Sequence, residues 1–231
     1  MIGIRQRKYD GDPADLLQEG RTDFAPAVAI TLYFDGPRER FAAGVVACWQ
    51  EFADRWGSRF RWYADQNVTR WRPPTAKMLR NPADRITSRK AMTFYAWHVT
   101  AAESYEQASP ITFSAIVRDG AGKSLSYLRA TFPISESANE LLERTKLWCG
   151  RIPIRHGYAG LTVNQAAARG QQQMNSGMLP QIAERFSGVE IDSCAGTVLV
   201  ARDHIKGVNW PYARKRLRRY FPADDVKLTQ S

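Results

Sequence analysis

Residues Ala27-Val28-Ala29-Ile30-Thr31-Leu32-Tyr33-Phe34 are followed by Asp35-Gly36-Pro37 and then by a long run free of breakers. Val28, Ile30, Leu32 and Phe34 alternate with Ala27, Ala29, Thr31 and Tyr33, so a strand here is apolar on both faces and belongs in the interior of a sheet. Pro37 stands where a helix starts. Beyond it Phe41, Val45, Trp49, Phe52 and Trp56 recur at steps of four, four, three and four, which aligns them on one face of a helix over 38–56. A buried strand followed by a strongly amphipathic helix fixes the first two elements of a layered domain.

The remaining chain adds mostly strands and hairpins. A short strand is expected over 60–63. Pro73-Pro74 and Asn81-Pro82 then read as a long irregular connection reaching about residue 90. Strand patterns recur over 92–99, 111–117 and 125–132. The last two flank Asp119-Gly120-Ala121-Gly122-Lys123, whose glycines suit a hairpin, so these strands should pair antiparallel. Ser137-Ala138-Asn139-Glu140 has capping-box spacing and opens a helix to about residue 149, with Leu141, Leu142, Thr145 and Trp148 as its buried face. His156-Gly157-Tyr158-Ala159-Gly160 suggests a tight backbone bend, and 164–174 reads as helix. Met178, Ile182 and Phe186 suggest another short helix, 196–201 a strand, and 208–221 a turn into a terminal helix. Hairpins outnumber crossovers, so the fold class is α+β: a mainly antiparallel sheet with helices packed on it. The expected organisation is a loosely held arm over 1–24, a single domain over 25–221 and a tail over 222–231.

Length and composition bound the function. A chain of 231 residues can bury roughly 70–75% of its unfolded surface and needs no staple. Cys48, Cys149 and Cys194 are odd in number and widely spaced, which suggests neither a disulfide framework nor a zinc site. The longest uncharged apolar run, 41–49, is about half of what a membrane span needs. The N-terminus, with Arg5, Arg7 and Lys8 close behind Met1, lacks the apolar stretch of a signal peptide, so a cytoplasmic protein is expected.

The formal charge of +10 is uneven. Residues 55–90 carry +8 and 200–221 carry +6, leaving −4 on the rest. In the first segment Arg59, Arg61, Arg70 and Arg72 interleave with aromatics such as Trp71, a mixture that suits phosphate neutralisation and base stacking, and Arg85 and Arg89 add charge further along. The same alternation fits a strand with Phe60 and Trp62 turned inward and Arg59 and Arg61 in water, the commoner arrangement. A nucleic-acid-binding module using 55–90 and 202–219 is therefore one reading, and partner binding through the arginines is another. No catalytic constellation emerges. His98, His156 and His204 lack metal-ligand spacing, and the Lys123-Ser124 step lacks the first glycine of a phosphate loop because position 117 is Val117. No GxSxG occurs, and no motif calls for a cofactor.

Gly157-Tyr158-Ala159-Gly160, then Arg185-Phe186-Ser187-Gly188-Val189-Glu190-Ile191-Asp192, then Ile205-Lys206-Gly207-Val208-Asn209-Trp210 form an ordered series. With the strand and helix at 27–56 and a strand over 125–133 ending in Pro133, this series resembles the bacterial type VI immunity family, whose members protect against secreted effectors carrying VRR-Nuc nuclease domains. The resemblance spans about 25–220. It implies a non-catalytic protein whose partner is a cognate secreted toxin, with Gly157, Tyr158, Gly160, Asp192, Gly207, Asn209 and Trp210 as scaffold. The charge of the chain itself departs from that of DNA-mimicking nuclease inhibitors, which are acidic, so a basic inhibitor would instead meet an acidic face of its effector.

Overall fold

The structure is a computed structural model that describes residues 10–12, 15, 17, 22–65, 71–88, 94–120, 125–166, 178 and 190–191. Its centre is the strand anticipated above. β1, Phe24–Phe34, lies between β5, Ser126–Pro133, and β6, Ile154–Gln165, and is antiparallel to both. β2, Trp62–Asp65, β3, Phe94–Thr100, and β4, Thr112–Arg118, complete an antiparallel run, and β7, Glu190–Ile191, adds in parallel to β6. The order across the sheet is β2-β3-β4-β5-β1-β6-β7. Val28, Ile30, Leu32 and Phe34 face the helices, while Ala27, Ala29 and Thr31 are buried on the opposite face. The strand is thus apolar on both sides because it is covered on both sides.

The described helices pack on one face of the sheet. α1, Ala42–Trp56, follows a single 3-10 turn at Arg38–Arg40 and buries Val45, Val46, Cys48, Trp49 and Phe52. Trp49 is the hub of this core: its ring meets Phe113 at 5.1 Å, Trp97 at 6.0 Å and Phe60 at 6.1 Å. Burial in this core pushes the Cys48 thiol up to about 12. That leaves Cys48 a protonated, apolar filler at neutral pH. Gly36, at φ 114°, and Gly120, at φ 106°, meet in an antiparallel bridge, a left-handed pairing that side chains would resist.

Residues 73–88 depart from the expectation of an irregular connection reaching about residue 90. α2 occupies Ala76–Thr87, with Pro82 inside it. The Thr75 side chain caps it by accepting from the Met78 N–H at 3.2 Å. Pro82 removes one helical hydrogen bond, normally enough to break a helix. Here Pro82 and Ile86 are buried, Met78, Leu79 and Ala83 pack against the core, and the Trp49 indole N–H donates to the Leu79 carbonyl at 3.1 Å. Tertiary burial outweighs the local defect.

α3, Ala138–Arg151, crosses over β1 to link β5 with β6. The capping box forms in full, with Ser137 accepting from the Glu140 N–H and the Glu140 carboxylate accepting from the Ser137 N–H, both at 3.2 Å. Leu141 and Trp148 are buried as expected, whereas Leu142 is 51% exposed because it lies about 100° round the helix from Leu141. These Ser137 hydrogen bonds hold the Glu140 carboxyl below its ordinary 4.5. A depressed carboxylate stabilises the fold above the unfolded-state value, and that contribution is lost as pH falls through the folded one. Melting wild type and Glu140→Ala across pH 6 to 3 should therefore show a gap at pH 6 that closes at the acid end.

β6 corrects two further expectations. Gly157 and Gly160 lie in extended strand paired with Leu32 and Ala29, not in a bend. Their lack of a side chain serves close packing instead. A Cβ on Gly157 would come 2.9 Å from Leu32 Cδ2, and one on Gly160 would come 2.7 Å from Tyr158 Oη. Asn164 and Gln165 end this strand and do not begin a helix. The elements expected at 182–186, 196–201 and 208–221 lie outside the described residues.

Candidate functional site

Several exposed arginines lie near the β2 edge of the sheet. Arg59 leaves the short turn after α1 with its guanidinium 5.5 Å from the Trp56 ring centroid, and Arg55 lies 5.2 Å from the same ring. Phe60 then plunges into the core, 4% exposed, and Arg61 returns to solvent while its N–H donates to the Thr100 carbonyl at 2.9 Å. Phe60 thus turns inward as the alternation predicts. The inward residue of β2, however, is Tyr63; Trp62 is half-buried on the other face, with its indole N–H donating to the Glu103 carbonyl at 3.3 Å.

An unpaired edge strand invites association. Here Arg72 covers it through a reciprocal bridge with Tyr63, the two N–H···O contacts being 2.8 and 3.1 Å. The bridge also places the exposed Arg72 beside β2, 3.9 Å from the Asp65 carboxylate. Beneath it the Tyr63 and Tyr95 hydroxyls share a hydrogen bond of 3.0 Å, and the Tyr63 hydroxyl also donates to Asp65 at 3.4 Å. Burial raises both phenols, Tyr95 to about 12 and Tyr63 further, so both stay neutral and act as struts. Arg85 is exposed on α2, which packs against β3, and its charge is felt at Tyr95.

Arg59, Arg61 and Arg72 therefore lie on or beside β2, with Arg85 on the helix packed against β3. Trp71 is half-buried and stands edge-on to His98 at 5.0 Å, so its ring is already engaged with the scaffold. Arg70, Arg89, Asp192, Gly207, Asn209 and Trp210 lie outside the described residues.

Sequence reading missed a buried polar network on the sheet face opposite the described helices. Arg129, 5% exposed on β5, donates to Asn164 Oδ1 at 3.0 Å and to Thr162 Oγ1 at 2.6 Å. The Asn164 amide donates to Thr131 Oγ1 at 2.8 Å and to the Ser109 carbonyl at 2.9 Å, and Thr131 meets the Thr112 hydroxyl at 2.9 Å. A buried cation needs such acceptors. Together they fasten the β3–β4 loop over one half of this face. The visible signal was an arginine flanked by Leu128 and Ala130 inside an apolar strand.

Among the described residues, no group of three His, Cys, Asp or Glu side chains could hold a metal ion. No described helix is long and apolar enough to cross a membrane.

Comparison with known proteins places this geometry in context. No curated protein matches the chain significantly. The Pseudomonas aeruginosa T6SS protein PA0821 superposes with a TM-score of 0.61 at 17% identity, covering 76% of this chain and 51% of that one. The chain thus spans about half the length of that protein, and the likeness is one of fold. A family model described as type VI immunity for VRR-NUC matches residues 44–212, from the first turn of α1 through the series of motifs quoted above. The chain belongs to this family, TsiV, of type VI immunity proteins.

Proposed function

We propose that the protein binds a cognate VRR-Nuc effector in the cytoplasm and neutralises it without catalysis, using the basic edge formed by Arg59, Arg61, Arg72 and Arg85. The observation that carries this reading is the placement of these exposed arginines, separated by up to 26 positions in sequence, on or beside β2 and on the helix packed against its neighbour β3. Cations on a rigid rim steer an acidic partner toward docking and discriminate against basic ones. A VRR-Nuc domain that holds metal ions with carboxylates would present such an acidic surface, and arginines inserted there would compete with the metal.

Co-expression with the neighbouring VRR-Nuc toxin tests the role: growth should be restored, and continued killing in the presence of soluble immunity protein would overturn it. The surface has its own test. Arg61→Glu with Arg72→Glu should slow association with the effector roughly tenfold at low salt, with little change in dissociation. An unchanged rate and salt dependence would remove this edge from the interface. A nucleic-acid-binding module would instead shift DNA or RNA probes at low salt and lose on the order of a thousandfold in affinity between about 50 and 200 mM salt.

A further inference from the structure

One arginine of the basic edge differs from the others in how it is held. Arg59 ends the 3-10 turn Gly57–Arg59, which the Phe60 N–H closes on the Gly57 carbonyl at 3.2 Å. Phe60 is fixed in the core, stacked on Phe52 at 5.9 Å and on Trp49 at 6.1 Å. On the other side Trp56, the last residue of α1, is half-buried and packs against the same core. The Arg59 guanidinium, 5.5 Å from the Trp56 ring centroid, thus has both its backbone and its resting face set by anchored aromatics.

The second cation at this ring is already committed. Arg55, 5.2 Å from the centroid, donates to Glu136 at 2.9 Å. Arg59 is exposed and, among the described residues, has no carboxylate within ion-pair distance. The Trp56 indole N–H is buried and has no acceptor among the described residues. Phenylalanine or leucine would pack there without stranding an N–H. What the indole adds is the strongest ring face for a cation. The end of a helix also favours positive charge, but lysine meets that need equally well and requires no ring.

We propose that Arg59, seated on Trp56, is the anchor of the effector contact: its guanidinium takes one carboxylate of the effector through two parallel N–H···O bonds, while Arg61 and Arg72 steer the approach. The inference rests on the effector-binding reading above and divides its arginines by task. A guanidinium already resting on a ring loses little freedom when it pairs, and its planar fork matches a carboxylate where a lysine ammonium cannot. Arginine and tryptophan are also the residues in which interface energy concentrates. Arg72 lacks such a seat: its side chain is 60% exposed and lies 3.9 Å from Asp65.

The test follows association and dissociation of the full chain with its catalytically inactivated effector. Arg59→Lys keeps the charge and removes the fork, so dissociation should quicken roughly tenfold with association unchanged; Arg59→Ala should quicken it roughly thirtyfold. Trp56→Phe, which keeps a ring, should lose less than Trp56→Leu, which does not. Lys146→Ala, on the exposed side of α3, should match wild type. Melting curves identify any Trp56 variant that has lost its fold, and the two Arg59 variants, at an exposed position, keep the test decisive. An Arg59 that serves only the helix end would lower the melting temperature and leave dissociation of the folded variants as in wild type, which overturns the inference. A change confined to association would make Arg59 one more steering charge, overturning the inference and leaving the proposed function standing. Failure of the wild-type protein to bind would overturn both. Weaker binding of Arg59→Ala to a single-stranded oligonucleotide, with effector dissociation unchanged, would assign the seat to nucleic acid and also overturn the inference.

Discussion

Replacing Gly44 with alanine should destabilise the protein by about 3 kcal/mol or more, a change that in an exposed helix would be favourable. Gly44 lies in the first turn of α1 against the end of α3. A Cβ there would sit 2.0 Å from the Arg151 carbonyl oxygen and 2.7 Å from its carbon, with Ile152 Cγ1 at 3.1 Å. Two of these three atoms are backbone, so no rotamer change relieves the clash. The helices must separate, and both carry core residues: Val45, Val46 and Trp49 on one, Trp148 at the end of the other. Densely packed interiors do not yield locally. For a protein of this size the melting temperature should fall by roughly 6–12 °C.

Gly150 supplies the internal control. It also lies in α3, it is exposed, and a Cβ there meets nothing within 4 Å. Gly150→Ala should therefore stabilise the protein by about 0.5–1 kcal/mol through helix propensity alone. Thermal or urea denaturation of the two variants checks both signs. A neutral Gly44→Ala would mean that α1 and α3 do not approach as described.

These two glycines mark the boundary between what sequence reveals and what it conceals. β1, α1 and the α3 capping box were legible because their signals are local: period two, period four and a four-residue motif. α2 was concealed because Pro82 speaks locally for a break, while the burial of Ile86 and the Trp49 contact to Leu79 are decided by residues about 30 positions away. Gly157 and Gly160 signal tight packing, yet whether in a bend or a strand depends on β1, over a hundred residues upstream. The arginines of the basic edge were individually visible. What could not be read was that Arg72 would return to pair with Tyr63, since register emerges only when strands meet.

The second large effect lies at the α1–α3 seam. Arg144 on α3 is 12% exposed in its side chain and donates both to Glu51 on α1, at 3.3 Å, and to Glu136, whose side chain is 4% exposed. Its guanidinium lies 4.8 Å from the Phe132 ring centroid. Glu51 also accepts from the Trp148 indole at 3.1 Å and from Arg151 at 2.6 Å, and Glu136 accepts from Arg55 at 2.9 Å. Arg144→Ala leaves a nearly buried Glu136 carboxylate with Arg55, whose side chain is 41% exposed, as its remaining described cation. Removing one member of a buried pair costs about 3–5 kcal/mol because the survivor stays desolvated; Arg55 and the partial exposure of Glu51 place the expected loss near the lower end, about 3 kcal/mol. If the penalty comes from the stranded charge, it must shrink when that charge is also removed. The double variant Arg144→Ala with Glu136→Ala should then be more stable than the sum of the single losses predicts, by about 1–2 kcal/mol. Additive losses in a denaturant cycle would show instead that Arg144 acts through its packing on Phe132 and its bond to Glu51, with Glu136 a bystander.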